Sequence, residues 1–289
     1  MRFTAALAQI APKLGTFSSN LQLHLQYLDR GREAGVDLVI FPELSLTGYI
    51  LQDLVPDVAI NPRTSNALAP LLERCHDIDC IFGFVEVSDR FHYYNAAAYV
   101  SEGRIKHLHR KLYLPTYGMF DEMRFFSMGE SLQTFSTRWG ELGLLICEDL
   151  WHPSTIYLHA LEGAQAVITI SCSPGRGVRQ EGPYKSCQGW ENLLKTTAQF
   201  YTVYSLYVNR VGFEDGAHFP GGSMVVDPMG DVVAQAKYYE EDWVVAELHT
   251  EEIRRARLFT PTLRDERTDL TLRELNRIVR KRNAGFQPT

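Results

Sequence analysis

Nowhere in these 289 residues do apolar side chains run on for the roughly 18 positions that a membrane-spanning helix needs. The opening stretch, MRFTAALAQIAPKLG, passes only superficially for an export signal. Its apolar residues alternate and are interrupted by Gln9 and Lys13, which reads as a strand. A cytoplasmic protein is therefore expected. Cysteine is scarce, odd in number and irregularly spaced: Cys75, Cys80, Cys147, Cys172 and Cys187 form no CxxC pair. That argues against a zinc site or a thioredoxin-like motif and for free thiols in a reducing compartment. There is no excess of positive charge. The net charge of −6 suggests neither a nucleic acid nor an anionic membrane as partner. No low-complexity stretch and no Pro/Gly/Ser linker divides the chain.

What is present is an alternation of buried strands and amphipathic helices. RFTAALAQI (2–10), DLVIF (37–41), CIFGFVEV (80–87), ELGLLIC (141–147), AVITIS (166–171), TVYSLYVN (202–209) and DWVVAEL (242–248) read as strands. NLQLHLQYLDRGREAG (20–35) has a helical period, with Ser18, Ser19 or Asn20 as cap candidates and Gly35 as its stop. Residues 65–77, 152–164 and 186–201 read as further helices, and SEG (101–103) as the turn of a hairpin. GGSMVVDPMGDVVAQA (221–236) is a second hairpin, and a charged helix (251–258) follows the last strand. The tail, 259–289, carries one helix near 271–282 and no strand. Periodicity goes no further than an α/β domain with sheets covered by helices.

Three ionisable groups follow buried strands, where chemistry is usually mounted. Glu43, in VIFPELSLTGY, is either a rim charge or cap partner, or a carboxylate held dry enough for acid–base work. Lys111, in HLHRKLYLPTYGMFDEMRFF, belongs to a chain with only seven lysines against 22 arginines. It is either a snorkelling surface side chain or an ammonium fixed to meet developing negative charge. Cys147, in LLICEDLW, is either an inert core thiol or a nucleophile. The adjacent Glu148 and Asp149 discourage a thiolate, so a reactive Cys147 needs a base and a cation from elsewhere, for which Glu43 and Lys111 are the candidates.

Taken together, FPELSLTGY, HRKLYLPTYGMFDEMRFF and LLICEDLW resemble the signature segments of the nitrilase superfamily, the carbon–nitrogen hydrolases. The order Glu, Lys, Cys and the separations of 68 and 36 residues agree with that pattern. YNAAAYVSEGRIKHLHRK and GGSMVVDPMGDVVAQA are similar to the family's hairpins. Within the superfamily the wording is most similar to the glutaminase domain of glutamine-dependent NAD synthetases. The departure is that these residues contain no SGGxDS-type loop of the ATP-using synthetase domain.

The resemblance implies a four-layer α-β-β-α sandwich. It implies a single hydrolase domain over residues 1–258; the strandless tail, 259–289, reads as an appended extension, with a subunit interface as one candidate for where it packs. It implies a homodimer or higher oligomer, no metal and no cofactor. The implied reaction is hydrolysis of a small linear amide: Glu43 as base, Cys147 as nucleophile forming a thioester, and the Lys111 ammonium with the Glu148 N–H holding the oxyanion. Glu122 is implied to position substrate and bond the lysine. Tyr49, Tyr117, Trp151, Ser171, Ser173 and Arg176 are candidates for the substrate pocket, each with ordinary packing or a loop position in solvent as the alternative. Glutamine, with ammonia passed to a separate synthetase, is an alternative substrate. A nitrile fits less well, because true nitrilases usually carry tryptophan directly after the cysteine, where Glu148 stands. His107, His109 and Arg110 receive no role.

Overall fold

Alternation along the first strand sorts its side chains between two environments. Phe3, Ala5 and Leu7 face one apolar core, while Ala6 and Ala8 face another. Both faces of a strand are therefore buried, which requires layers above and below it. The computed structural model, in which residues 2–284 are described, supplies them.

In chain order, β1 (Arg2–Gln9), α1 (Phe17–Glu33), β2 (Leu38–Ile40), α2 (Val55–Val58), α3 (Ala69–Arg74), β3 (Asp79–Val87), β4 (Tyr93–Ser101) and β5 (Arg104–Arg110) form the first half. Next come α4 (Glu122–Phe125), β6 (Phe135–Thr137), β7 (Gly140–Ile146), α5 (Pro153–Leu161), β8 (Ala166–Ser171), α6 (Lys185–Tyr201), β9 (Tyr204–Asn209) and the hairpin β10 (Val211–Glu214) and β11 (Ala217–Pro220). β12 (Met224–Val226), β13 (Val232–Gln235), β14 (Asp242–His249), α7 (Thr250–Phe259) and α8 (Thr268–Ala284) complete the chain. Six strands pair in the order β14-β1-β2-β3-β4-β5 and six in the order β13-β12-β9-β8-β7-β6. Each sheet is parallel at its centre, β1-β2-β3 and β7-β8-β9, and antiparallel at its margins.

The inner faces share one core, in which Leu7, Ile40, Ile81 and Ala97 join Leu144, Ile146, Ile168 and Leu206. Outside the first sheet, Leu21, Leu25 and Leu28 of α1 and Leu71 of α3 cover Ala6, Val39 and Phe82. Outside the second, α5 and α6 pack on β7, β9 and β12. Fully burying one such Leu or Ile side chain stabilises the fold by about 1.5–3 kcal/mol. The result is an α/β sandwich of two mixed sheets between helices. Among the described residues no helix is long and apolar enough to cross a membrane.

Several local expectations change. Helix α1 begins a turn early, with Thr16 as its N-cap, so Ser18, Ser19 and Asn20 lie inside it. Asn20 instead bonds the Lys13 backbone in both directions and reaches the Leu46 carbonyl. Gly35 does end the helix, at φ 67°. The helix expected over 65–77 is only α3, because its Pro70 is tolerated only in the first turn. The strand β6 and the hairpin β10–β11, both short, have no counterpart in the sequence reading. The tail helix α8 is longer than 271–282, and residues 285–289 of the extension lie outside the described residues.

Candidate functional site

Two strand ends are bent by the same device. β2 runs into Phe41, Pro42 and Glu43, and the next residue, Leu44, has φ 45°. β7 runs into Cys147, itself at φ 46°, which starts a short 3-10 turn through Trp151. A non-glycine residue at positive φ stores strain that the surroundings must hold in place. At the first bend this is made easier by Gly83 on β3, where a Cβ would lie 2.3 Å from the Leu44 nitrogen. Lys111 leaves the end of β5 with its N–H on the Asn95 carbonyl and its own carbonyl accepting from Gly129.

These three ends converge. The Lys111 ammonium donates to Glu43 Oε1 at 2.7 Å and to Glu122 Oε1 at 2.7 Å, and all three side chains are buried. Asn95 Nδ2 donates to the same Glu43 oxygen at 2.7 Å, and the Cys172 N–H donates to Glu43 Oε2 at 2.6 Å. A carboxylate has about four acceptor positions. Three are filled, and one on Oε2 is left. Glu122 Oε1 also accepts from the Tyr49 hydroxyl at 2.5 Å, while Glu122 Oε2 is buried with no hydrogen-bond partner among the described residues. Cys147 Sγ lies at the edge of this cluster, 7% exposed, and accepts a hydrogen bond from Ser171 Oγ at 3.2 Å. Among the described residues no hydrogen bond joins Glu43 to the sulfur.

The electrostatics follow from dry burial of unequal charge. Burial opposes the Lys111 ammonium, but Glu122 and Glu43 hold its pKa well above the usual lysine value. Burial pushes the Glu122 carboxyl up to about 7, with Lys111 pulling it down and Glu43 pushing it further up. Burial also raises the Cys147 thiol well above its ordinary value, and Glu43 adds to that while Lys111 opposes it.

Asp149 joins the cysteine-bearing turn to the lysine-bearing loop. Its Oδ1 accepts from the N–H groups of Leu112 and Tyr113 at 2.9 and 3.0 Å. Its Oδ2 accepts from the Ile146 N–H at 3.0 Å and His109 Nε2 at 2.9 Å. Sequence reasoning missed His109 and Asn95. Asn95 had a signal, a polar side chain in a strand otherwise committed to burial, whereas His109 lies on the largely polar β5 and had none.

The pocket candidates separate into groups. Tyr49 reaches Glu122 directly. Tyr117 donates to Glu148 Oε2 at 2.8 Å, and the Arg176 guanidinium lies 5.4 Å from the Tyr117 ring and 5.3 Å from Phe120. These make a rim. Trp151 is partly exposed and meets Trp190 edge-on at 5.2 Å. Ser171 sits against the sulfur, whereas the Ser173 hydroxyl accepts from Trp190 Nε1 at 2.6 Å and faces a different recess, one lined by Cys187 and Tyr207. A cavity of about 180 Å³ is bounded by Tyr49, Phe120, Glu122 and Arg124, and Glu43, Lys111 and Cys147 do not line it. Among the described residues no group of three or more His, Cys, Asp or Glu is arranged to hold a metal ion.

The family model described as carbon–nitrogen hydrolase matches residues 4–258. A glutamine-dependent NAD(+) synthetase of Thermotoga maritima is 34% identical over 274 residues, covering 92% of this chain and 46% of that protein. The chain thus spans about half the length of the curated relatives it matches. The structure of a glutamine-dependent NAD+ synthetase from Acinetobacter baumannii superposes with a TM-score of 0.78 at 30% identity, covering 88% of this chain and 47% of that one. A carbon–nitrogen hydrolase from Helicobacter pylori G27 superposes with a TM-score of 0.82 at 25% identity, covering 95% and 99%.

Proposed function

The chain belongs to the carbon–nitrogen hydrolase family, of the nitrilase superfamily, and from that premise we propose that it hydrolyses the amide bond of a small linear substrate at Cys147, with Glu43 and Lys111. The observation that carries this reading is the buried Glu43–Lys111 pair at 2.7 Å beside a cysteine on a strained strand end.

The free acceptor position on Glu43 takes the proton of the Cys147 thiol as sulfur attacks the amide carbon. The carbonyl oxygen becomes an oxyanion held by the Lys111 ammonium and the Glu148 N–H, which opens a helical turn and so has no intrahelical partner to its N-terminal side. Collapse of this adduct breaks the C–N bond, and Glu43 returns its proton to the leaving ammonia or amine. A thioester on Cys147 remains. Glu43 then takes a proton from water as it attacks, and the acid and free thiol are regenerated. The raised thiol suits this order: the proton leaves only in concert with attack, and no standing thiolate is needed.

Glutamine is the second reading. It is favoured by the two relatives above, whose names specify glutamine dependence, and it makes a synthetase the partner that receives ammonia. The rim of Tyr117, Glu148 and Arg176 offers both signs of charge for an amino acid head group.

Ammonia release is measured over a panel of amides, N-carbamoyl compounds, nitriles and glutamine, with and without an added synthetase. Turnover of an amide, lost in Cys147→Ala with the fold intact, is the expected result. Retention of full rate by Cys147→Ala would sink the assignment of the nucleophile.

A further inference from the structure

Ser171 is the last residue of β8, and the parallel register that sets Ile146 opposite Ile170 brings it beside Cys147. Its carbonyl accepts from the Arg210 N–H at 3.1 Å, so its backbone is fixed. Its side chain is completely buried, with Oγ 3.2 Å from Cys147 Sγ. The hydroxyl has one proton to give. On the other side, the Tyr207 hydroxyl lies 3.4 Å from Ser171 Oγ and donates to it, and Tyr207 is itself pinned by stacking on Trp190 with ring centroids 4.5 Å apart. Tyr207 sits opposite Thr169 on β9, the diagonal neighbour of Ser171 on the same sheet face. The donor order is thus Tyr207 to Ser171 to sulfur.

We propose that Ser171 is a catalytic residue rather than a substrate contact: its hydroxyl donates to the Cys147 sulfur, oriented by Tyr207, and stabilises the charge that gathers there when the thiol proton is lost. This rests on Cys147 being the nucleophile. The chemical need is specific. Sulfur loses its proton next to the carboxylate that receives it, and the cation acting on it, Lys111, is already shared between Glu43 and Glu122. A second cation would capture Glu43 and remove the base. A neutral hydroxyl donor stabilises sulfur charge without binding the carboxylate. The same bond persists when the sulfur is the leaving atom of the thioester, where it again stabilises negative charge as the C–S bond breaks. The completely buried side chain of Ser171, directed at sulfur, leaves no proton for a substrate in the rim cavity.

The test is iodoacetamide alkylation of Cys147, followed by peptide mass spectrometry across pH, in the wild type, Ser171→Ala and Ser171→Thr, alongside kcat and KM on whatever amide turns over. Ser171→Ala is expected to slow alkylation of Cys147 at pH 8 by about tenfold, as loss of a hydrogen bond to a charged group does. Its pH midpoint should move upward, and kcat should fall more than KM rises. Ser171→Thr, which keeps the hydroxyl, should lie between the two. Unchanged alkylation in Ser171→Ala, or a Thr variant no faster than Ala, overturns the proposal. Because alkylation needs no substrate, these outcomes are read separately from the amidase assignment, which fails instead if Cys147→Ala still releases ammonia.

Discussion

The buried charge clusters around Lys111 and around Arg210 are built on opposite principles. Around Lys111 there are two carboxylates and one ammonium, so the charge is unbalanced and one proton is in contention. Directly after β9, at the start of the β10 hairpin, Arg210 pairs with Glu214, one charge of each sign. Glu214 Oε1 accepts from the N–H groups of Tyr49 and Ile50 at 2.8 and 2.6 Å. Arg210 reaches the Pro12 carbonyl at 3.3 Å and lies 4.4 Å from the Phe219 ring. The balanced pair fastens backbone; the unbalanced triplet holds a carboxyl near neutrality. The two are connected, since the loop that Glu214 fastens carries Tyr49, whose hydroxyl bonds Glu122. Buried ion pairs are weak sources of stability. What the difference teaches is that the balanced cluster serves placement, while the unbalanced one is suited to the proton transfers of the proposed mechanism.

The largest effect is expected from removing the shared cation. Lys111→Met leaves Glu43 and Glu122 facing one another without compensation. Turnover should fall by about 10²–10³, the usual loss for one oxyanion donor. Stability should fall too, more at pH 8 than at pH 5, because Glu122 already holds its proton up to about 7 and can stay neutral at the lower value. Chemical denaturation at the two pH values checks this. An equal loss at both would show that the triplet is not unbalanced in the way described.

The balanced pair should respond differently. Arg210→Met alone leaves Glu214 buried without its cation, a change that typically costs about 3–5 kcal/mol. Arg210→Met with Glu214→Gln removes both charges yet keeps an acceptor for the Tyr49 and Ile50 N–H groups, and much of the loss should return. Denaturant melts of the single and double variants, with kcat at saturating amide, decide it. If the double variant is as unstable as the single, the pair is more than a balanced fastener.

How legible were these features beforehand? Glu43 and Cys147 each sat at the end of a recognisable apolar strand and Lys111 at the end of a polar hairpin strand, so the positions that could carry chemistry were readable from local pattern. Their convergence was not, because it depends on sheet order: β2 lies beside β1 and β3, and β14 closes on β1 from the far end of the sequence. Asn95 and His109 read as strand residues of no consequence, since a partner 52 or 40 residues away leaves no periodic trace. The β10–β11 hairpin was missed because GFEDGAHF has turn residues but almost no apolar alternation. Its buried apolar residues, Val211, Ala217 and Phe219, are too few to show as a pattern, and Arg210 and Glu214 add a buried ion pair beside them. Helix α8, by contrast, was visible from its own period.

The smallest effect concerns proton linkage, where the triplet meets a set of buried histidines. Burial lowers His24, His107 and His159 to about 4, with His109 also lowering His107 and His159. A histidine whose folded pKa is depressed from 6.5 gives stability that is present above 6.5 and lost as pH falls toward 4. Glu122 has the opposite sign. Its folded value of about 7 lies above its ordinary 4.5, so its contribution declines as pH rises from 4.5 to 7. Between pH 4.5 and 6.5 three groups therefore favour the higher pH and one the lower, each with a slope of at most about 1.4 kcal/mol per pH unit. The melting temperature should fall as pH is lowered through this window. Glu122→Gln removes the opposing group and should steepen the fall. His107→Phe, which keeps an aromatic ring to stack on Phe135, should make it shallower. A melting temperature that stays level from pH 6.5 to 4.5 in the wild type would mean that the histidines are not held neutral. If Glu122→Gln leaves the slope as it is, the contested proton of the triplet does not reside on Glu122.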